Sequence, residues 1–135
     1  LAHIGPGEGL ETIVLRPWTV EHELSDYLRE LNPAGYDAVI EDVPAYVSAA
    51  TSNASSFKLG YNFGYIIGCL RTLQFRAHLV KPREWQKGLQ GLKPRMGYTE
   101  RKRMLKDNAI RLYPDLKVTN ATADALLILN YWRNR

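Results

Sequence analysis

Residues 37–47 read DAVIEDVPAYV, and this stretch decides how the middle of the chain is interpreted. Apolar residues on successive positions predict a strand at 36–41, covered on both faces of a sheet. The strand ends on two adjacent carboxylates, Glu41 and Asp42. An unpaired buried carboxylate is costly, so Glu41 needs a cationic side chain, a backbone amide or a metal ion as partner. Alternation turns Asp42 away from Glu41, which indicates a structural role for Asp42.

The rest of the chain alternates between strand and helix patterns. Strands are predicted at 1–4, 10–15 and 77–80, and helices at about 20–31, 55–73, 82–85, 99–112 and 121–132. The first two strands form a hairpin around the Gly-rich turn 5–9, and Thr19 caps the first long helix. This order predicts an α/β fold, a mixed central sheet flanked by helices, in a single domain of residues 1–135.

Three glycines recur at every fourth position of the helix predicted at 55–73: Gly60, Gly64 and Gly68. Each costs a helix roughly 1 kcal/mol, so we expect close packing against a sheet to offset the loss. A flexible hinge is the alternative. The same face is also a candidate contact in a homodimer.

Composition excludes several classes of protein. The 135 residues include one cysteine, Cys69, so neither an intramolecular disulfide nor a cysteine-based metal cage is possible. A reducing, intracellular setting is expected: cytoplasm or nucleoid, or the host cytoplasm for a phage protein. No apolar run approaches the ~20 residues that a membrane span needs, so we expect no membrane partner.

Charge is concentrated in one segment. Residues 81–106 hold nine basic and two acidic side chains, a net charge of +7 in a chain whose total is +4. A block of this kind is typical of a protein that binds a polyanion, here nucleic acid, and a solvated surface is the alternative. The basic residues are Lys81, Arg83, Lys87, Lys93, Arg95, Arg101, Lys102, Arg103 and Lys106.

Two acidic residues lie at positions where the apolar pattern predicts an apolar side chain. Glu41 ends the central strand, and Asp124 lies near the start of an apolar helix. Ligands of open α/β sheets gather beyond the carboxyl ends of strands, and a helix arriving there brings Asp124 beside Glu41. Paired carboxylates favour Mg²⁺ or Mn²⁺, ions that promote phosphodiester hydrolysis. The alternatives are a salt bridge to Lys or Arg for Glu41 and a favourable helix-dipole position for Asp124.

Four motifs in order carry a family resemblance: IEDV at 40–43, NASSFKLGYNFG at 53–64, HLVKPREWQK at 78–87 and ADAL at 123–126. The sequence resembles the RuvC-type Holliday junction resolvases, in particular their small phage and viral relatives within the ribonuclease H-like superfamily. The resemblance runs over nearly the whole chain. It implies a ribonuclease H-like fold and a site in which four acids hold two Mg²⁺ (or Mn²⁺) ions.

By this resemblance Glu41 matches the acid at the end of the fourth strand and Asp124 matches the last acid. The first family acid lies on a first strand that this chain lacks, and we expect truncation, since loss of a central strand would expose two sheet edges. If that acid is truly absent, little cleavage is expected. Ala121 occupies a position where relatives often place an acid or His. Asn120 is either a weak metal ligand or the helix cap.

The resemblance also assigns surfaces to DNA. Phe57 and Lys58 would face the junction, where Phe57 stacks on bases or, alternatively, packs in the core. Trp85 is interpreted as a core anchor. The basic block would contact phosphates, which fixes position without reading sequence. Since a four-way junction has two-fold symmetry, we expect a homodimer.

These features predict a metal-dependent, structure-selective DNA endonuclease, similar to crossover junction endodeoxyribonucleases, that resolves Holliday or other branched junctions. The alternative is a ribonuclease H-like module that binds branched nucleic acid without cutting it. An RNA-directed or transposase-type nuclease on the same fold is a third interpretation.

Overall fold

A computed structural model describes residues 2–5, 12–15, 21–31, 33–42 and 52–135, and these form a mixed α/β structure. The elements are β1 (Ala2–Gly5), β2 (Thr12–Leu15), α1 (Glu21–Glu30), a 3₁₀ turn (Pro33–Gly35), β3 (Asp37–Glu41), α2 (Asn53–Thr72), β4 (Arg76–Val80), α3 (Pro82–Trp85), α4 (Tyr98–Leu112) and α5 (Asn120–Arg133). The predicted order of strands and helices is confirmed in these residues. Of the turn predicted at 5–9, Gly5 ends β1 and residues 6–9 lie outside the described residues, as do the cap Thr19 and residues 43–51.

The four strands pair in two separate two-stranded sheets. β1 and β2 are antiparallel, with Ala2 opposite Leu15, as the hairpin pattern predicts. β3 and β4 are parallel, in a register that runs from Asp37 opposite Arg76 to Glu41 opposite Val80. The predicted α/β class is therefore confirmed. The described strands do not form the single mixed sheet that was predicted. Residues 38–41 are half-buried, not fully covered as the apolar run predicts.

The chain divides into two compact units. We call residues 1–18 together with 83–135 the helical unit, and residues 19–82 the parallel-sheet unit. Glu41 belongs to the parallel-sheet unit, and Asp124 belongs to the helical unit. The single-domain interpretation of residues 1–135 stays a prediction.

The core of the helical unit is the contact between α4 and α5, with α5 also lying against β1. Apolar residues three and four positions apart form one stripe on each helix, and these stripes are buried. Their members are Leu105 and Ala109 on α4 and Ala123, Leu126 and Leu127 on α5. Trp85, at the end of α3, is 2% exposed, which confirms its interpretation as a core anchor.

Asn108 fastens the segment between α3 and α4 to the helix. Its side chain is buried; its amide group donates to the carbonyl oxygens of Gln90 (2.8 Å) and Met104 (2.8 Å). Its oxygen accepts from the Gln90 N–H (2.9 Å) and from the Arg111 guanidinium (2.8 Å). Gly91 follows with φ +76°, a conformation that suits glycine. The segment at 86–97 is therefore fixed on α4 although it contains no regular helix or strand.

The parallel-sheet unit is more open. Its buried apolar residues are Leu24, Leu28, Leu70, Phe75 and Val80. The Ser52 side chain caps α2 by accepting from the Ser55 N–H at 3.1 Å, and the helix is exposed along its N-terminal half.

The glycine face of α2 does not have the predicted close packing. A Cβ added at Gly60, Gly64 or Gly68 meets no atom of a described residue within 4 Å. The expected compensation by packing against a sheet is therefore absent from the described part of the chain.

No helix in the described part of the chain is long and apolar enough to cross a membrane.

Candidate functional site

Asp124 lies on α5 between buried neighbours. Ala123 and Leu126 turn into the core, which leaves the Asp124 side chain at the edge of the α4–α5 contact, 32% exposed. Its Oδ2 accepts from the ammonium of Lys102 on α4, whose side chain is 27% exposed. Its Oδ1 is buried and has no hydrogen-bond partner among the described residues. One carboxylate oxygen of Asp124 therefore accepts a hydrogen bond, and the other has no donor among the described residues.

The position of Asp124 does not favour the helix-dipole interpretation. Thr119 is the N-cap of α5, and the first turn contains no acid. Asp124 lies a full turn further along, where the favourable effect of the helix dipole on an acid has largely faded. Its immediate electrostatic partner is Lys102, a residue that the charge pattern assigned to phosphate contact.

Asn120 does not cap the helix, so that prediction was wrong by one residue. Thr119 and Thr122 form a capping box: the Thr119 N–H donates to the Thr122 hydroxyl at 3.0 Å, and Thr119 accepts from the backbone of Thr122. Asn120 is the first helical residue and is exposed. Its other predicted role, as a weak metal ligand, stays a prediction.

A cavity of about 630 Å³ lies between α4 and the start of α5. Most of its lining comes from one side of α4, where residues three and four apart follow one another along the helix. Its lining includes three cationic side chains and one carboxylate, a net charge of +2. The lining residues are Tyr98, Thr99, Lys102, Arg103, Lys106, Asp107, Ile110, Asn120 and Ala121.

Arg101 has a structural task that the charge pattern did not reveal. Its guanidinium donates to the side-chain oxygen of Gln86 (3.0 Å) and to the carbonyl oxygen of Lys93 (3.3 Å). These bonds hold the segment at 86–97 against the start of α4. Arg101 therefore has a structural role, because it holds the segment at 86–97 on α4. Its predicted contact with phosphate stays a prediction.

The other members of the basic block lie on the surface. Exposed members are Lys81, in the parallel-sheet unit, and Arg83, Lys87, Lys93, Arg95 and Arg103, in the helical unit; Lys106 is half-buried. Apart from Lys81, these six side chains form no ion pair with a described residue. Their charges are available to an anionic partner.

Glu41 is half-buried at the end of β3. The next residue continues the pairing, since the Asp42 N–H donates to the Val80 carbonyl oxygen at 2.8 Å. Among the described residues, no three His, Cys, Asp or Glu side chains form a group that could hold a metal ion. The convergence of Glu41 with Asp124, and the two-ion site with it, stays a prediction.

Phe57 is not a core residue. It is 75% exposed, so the core-packing alternative was wrong. Its ring stacks on that of Tyr61, one turn further along α2, with ring centroids 6.3 Å apart and an interplanar angle of 26°. Lys58 is exposed beside them. The N-terminal half of α2 thus presents two aromatic rings and one cation to solvent.

Sequence reasoning missed Tyr98 and Tyr61. Tyr98 is 77% exposed at the first turn of α4 and lines the cavity. A signal was present in each case. Tyr98 directly precedes the densest run of basic residues, and Tyr61 is four residues from Phe57 on the same helix face.

Comparison with the models of known protein families gives no match, and comparison with functionally curated proteins gives none either. The resemblance to RuvC-type resolvases therefore rests on the four motifs alone.

Proposed function

We propose that the chain is a RuvC-type endonuclease with a ribonuclease H-like fold, which binds four-way or other branched DNA and hydrolyses a phosphodiester bond in it. The observation that supports this best is Asp124. It is a half-buried carboxylate on the last helix, with one orphaned oxygen, adjacent to a cavity lined by three cations. An acid on the last helix is what the resemblance requires.

The orphaned Oδ1 of Asp124 suits an oxygen-seeking divalent ion. Asp124 and Glu41 would hold Mg²⁺ or Mn²⁺, and such an ion polarises a phosphate and activates water. Lys102 balances the charge of Asp124 in the chain as described. Its ammonium repels a cation, so Lys102 must move from Asp124 when an ion is held there.

The cationic residues of the helical unit hold the DNA. Lys102, Arg103 and Lys106 lie together along the cavity, and contacts from Lys and Arg to phosphates position DNA without reading its sequence. Phe57 and Tyr61 offer ring faces on which unpaired bases at a branch point can stack. A homodimer would match the two-fold symmetry of a four-way junction.

The second candidate function is binding of branched nucleic acid without cleavage. It is favoured by the ion pair between the Lys102 ammonium and the Asp124 carboxylate. In this alternative the Lys102–Asp124 pair is a permanent structural link between α4 and α5.

A labelled four-way junction, incubated with Mg²⁺ or with EDTA, separates the two candidates. We expect nicking with Mg²⁺ only, and we expect Asp124→Asn and Glu41→Gln to bind the junction in EDTA but not to nick it. Asp115→Asn is the matched control, because Asp115 is exposed and lies outside the cavity.

Binding without nicking in the wild-type chain would favour the second candidate. Nicking that survives Asp124→Asn would rule out the proposed site. Duplex, flap and RNA–DNA hybrid substrates, tested in the same way, distinguish a junction enzyme from an RNA-directed or transposase-type nuclease.

A further inference from the structure

The lining of the cavity in the helical unit extends over several turns of α4, further than a single bound ion needs. Its α4 wall runs from Tyr98 to Ile110, about 18 Å at 1.5 Å per residue. Tyr98, Lys102 and Lys106 follow one another at intervals of four residues on one face of the helix, and Arg103 lies beside them. The result is a strip of positive charge with an aromatic ring at one end.

The opposite wall adds donors for an anion. Asn120 and Ala121 belong to the first turn of α5, whose N–H groups have no acceptor within the helix. The capping box accounts for the N–H groups of Thr119 and Thr122, and not for those of the two cavity residues. Asp107 is the one acid among the described lining residues, where the cations outnumber it three to one.

The Tyr98 ring indicates whether this positively charged strip suits a single strand or a duplex. Its ring is 77% exposed, so it contributes little to the core. In a duplex the base faces are stacked on one another, and an aromatic side chain reaches a base face only where a strand is unpaired. Cations along a groove, together with an exposed aromatic ring, are typical of proteins that bind single strands.

We propose that the α4–α5 cavity is a groove for an unpaired DNA strand, with phosphates on Arg103 and Lys106, and on Lys102 once it leaves Asp124, and a base on the Tyr98 ring. The inference rests on the proposed function and makes it more specific: the junction would be held partly through a segment that is not base-paired.

Fluorescence anisotropy tests this with a short labelled thymidine oligonucleotide, a duplex of the same length, and a four-way junction, all in EDTA. We expect Tyr98→Ala to weaken single-strand binding about tenfold and to leave duplex affinity unchanged, because stacking on one ring is lost. Tyr98→Phe keeps the ring and should keep the affinity.

Substitutions of the cationic residues should affect DNA binding differently from substitutions of Tyr98. Lys106→Gln should weaken both single-strand and duplex binding and lower the salt slope for single strands by about 0.7. Lys117→Gln is the matched control, because Lys117 is exposed and lies outside the cavity. We expect it to change affinity less than Lys106→Gln does.

The inference is overturned if Tyr98→Ala leaves single-strand affinity unchanged, or weakens single-strand and duplex binding equally. The proposed function survives either result as long as the wild-type chain binds the junction. If the wild-type chain binds no DNA of any form, both the inference and the proposed function fail.

Discussion

The two long helical regions of this protein are built in opposite ways. α4 and α5 bury a continuous apolar stripe against each other, and Asn108 adds a buried polar network. α2 is the longest helix described, yet Leu70 alone among its 20 residues is buried in the described structure. Its glycine face meets no atom of the described residues within 4 Å, and two aromatic rings are exposed to solvent. The α4–α5 pair is stabilised by its own contacts, whereas α2 has few buried contacts and is exposed along its N-terminal half.

The difference has a direct consequence for function. The proposed function needs Asp124 and the cavity beside it to be held in place, and α4 and α5 provide a packed support for both. The exposed half of α2 offers stacking surface on a helix with few buried contacts of its own. Stability measurements should therefore separate the two regions clearly.

The largest effect is expected in the α4–α5 core. Leu126 is 0% exposed, so Leu126→Ala should lower the free energy of unfolding by about 3 kcal/mol, through lost burial and a residual cavity. Leu59→Ala on α2, at a leucine that is 40% exposed, should cost about 0.5 kcal/mol. Urea denaturation measures both, and equal losses would contradict the contrast between the two regions.

A smaller loss is expected where the 86–97 segment meets α4. Gly91 has φ +76°, and a Cβ there would lie 2.8 Å from Sδ of Met104. Gly91→Ala should therefore cost about 2 kcal/mol, the sum of backbone strain and displacement of Met104. Gly88→Ala is the control: φ is +83°, but a Cβ has open space, so about 1 kcal/mol is expected. If the two variants unfold alike, the segment does not pack on Met104 as described.

The Lys102–Asp124 pair should have a moderate effect on stability. Lys102→Met leaves the Asp124 carboxylate without its cation, while Oδ1 already has no partner among the described residues, so a loss of about 1 to 2 kcal/mol is expected. Lys106→Met, on the same face and without an ion pair to a described residue, should change stability by less than about 0.5 kcal/mol.

A double-mutant cycle with Asp124→Asn isolates the pair. Lys102→Met should cost less in the Asp124→Asn background, because no charge is then left unbalanced. Equal costs in both backgrounds would show that the two side chains are not coupled.

These contacts also show where sequence reasoning succeeds. Periodic apolar residues are a local property, so the order of helices and strands and the burial of Trp85 follow from the pattern. The cap of α5 was misplaced by one residue, because Thr119 and Asn120 are both good capping residues and only the backbone decides between them.

Tertiary contacts are harder to predict. Lys102 and Asp124 are 22 residues apart, and nothing in the charge pattern distinguishes Lys102 from Arg103 or Lys106. The acceptors of Arg101 depend on how the 86–97 segment folds back on α4. The open space along the glycine face of α2 was missed for a related reason: a repeat of small residues indicates close approach only if a partner is present.

The smallest effect, opposite in sign, is expected on that face. Because a Cβ at Gly64 meets nothing within 4 Å, Gly64→Ala should stabilise the chain by roughly 0.5 to 1 kcal/mol through the better helix propensity of alanine. Gly97→Ala is a useful comparison, since Gly97 also has open space but is the N-cap of α4, where alanine is a poor substitute. Denaturation at low protein concentration measures the intrinsic gain, and sedimentation at high concentration asks whether two chains pair through this face. A gain that persists at all concentrations would contradict a homodimer contact through this face, whereas a gain at low concentration that becomes a loss at high concentration, together with sedimentation as a dimer, would show that a second copy packs against Gly64.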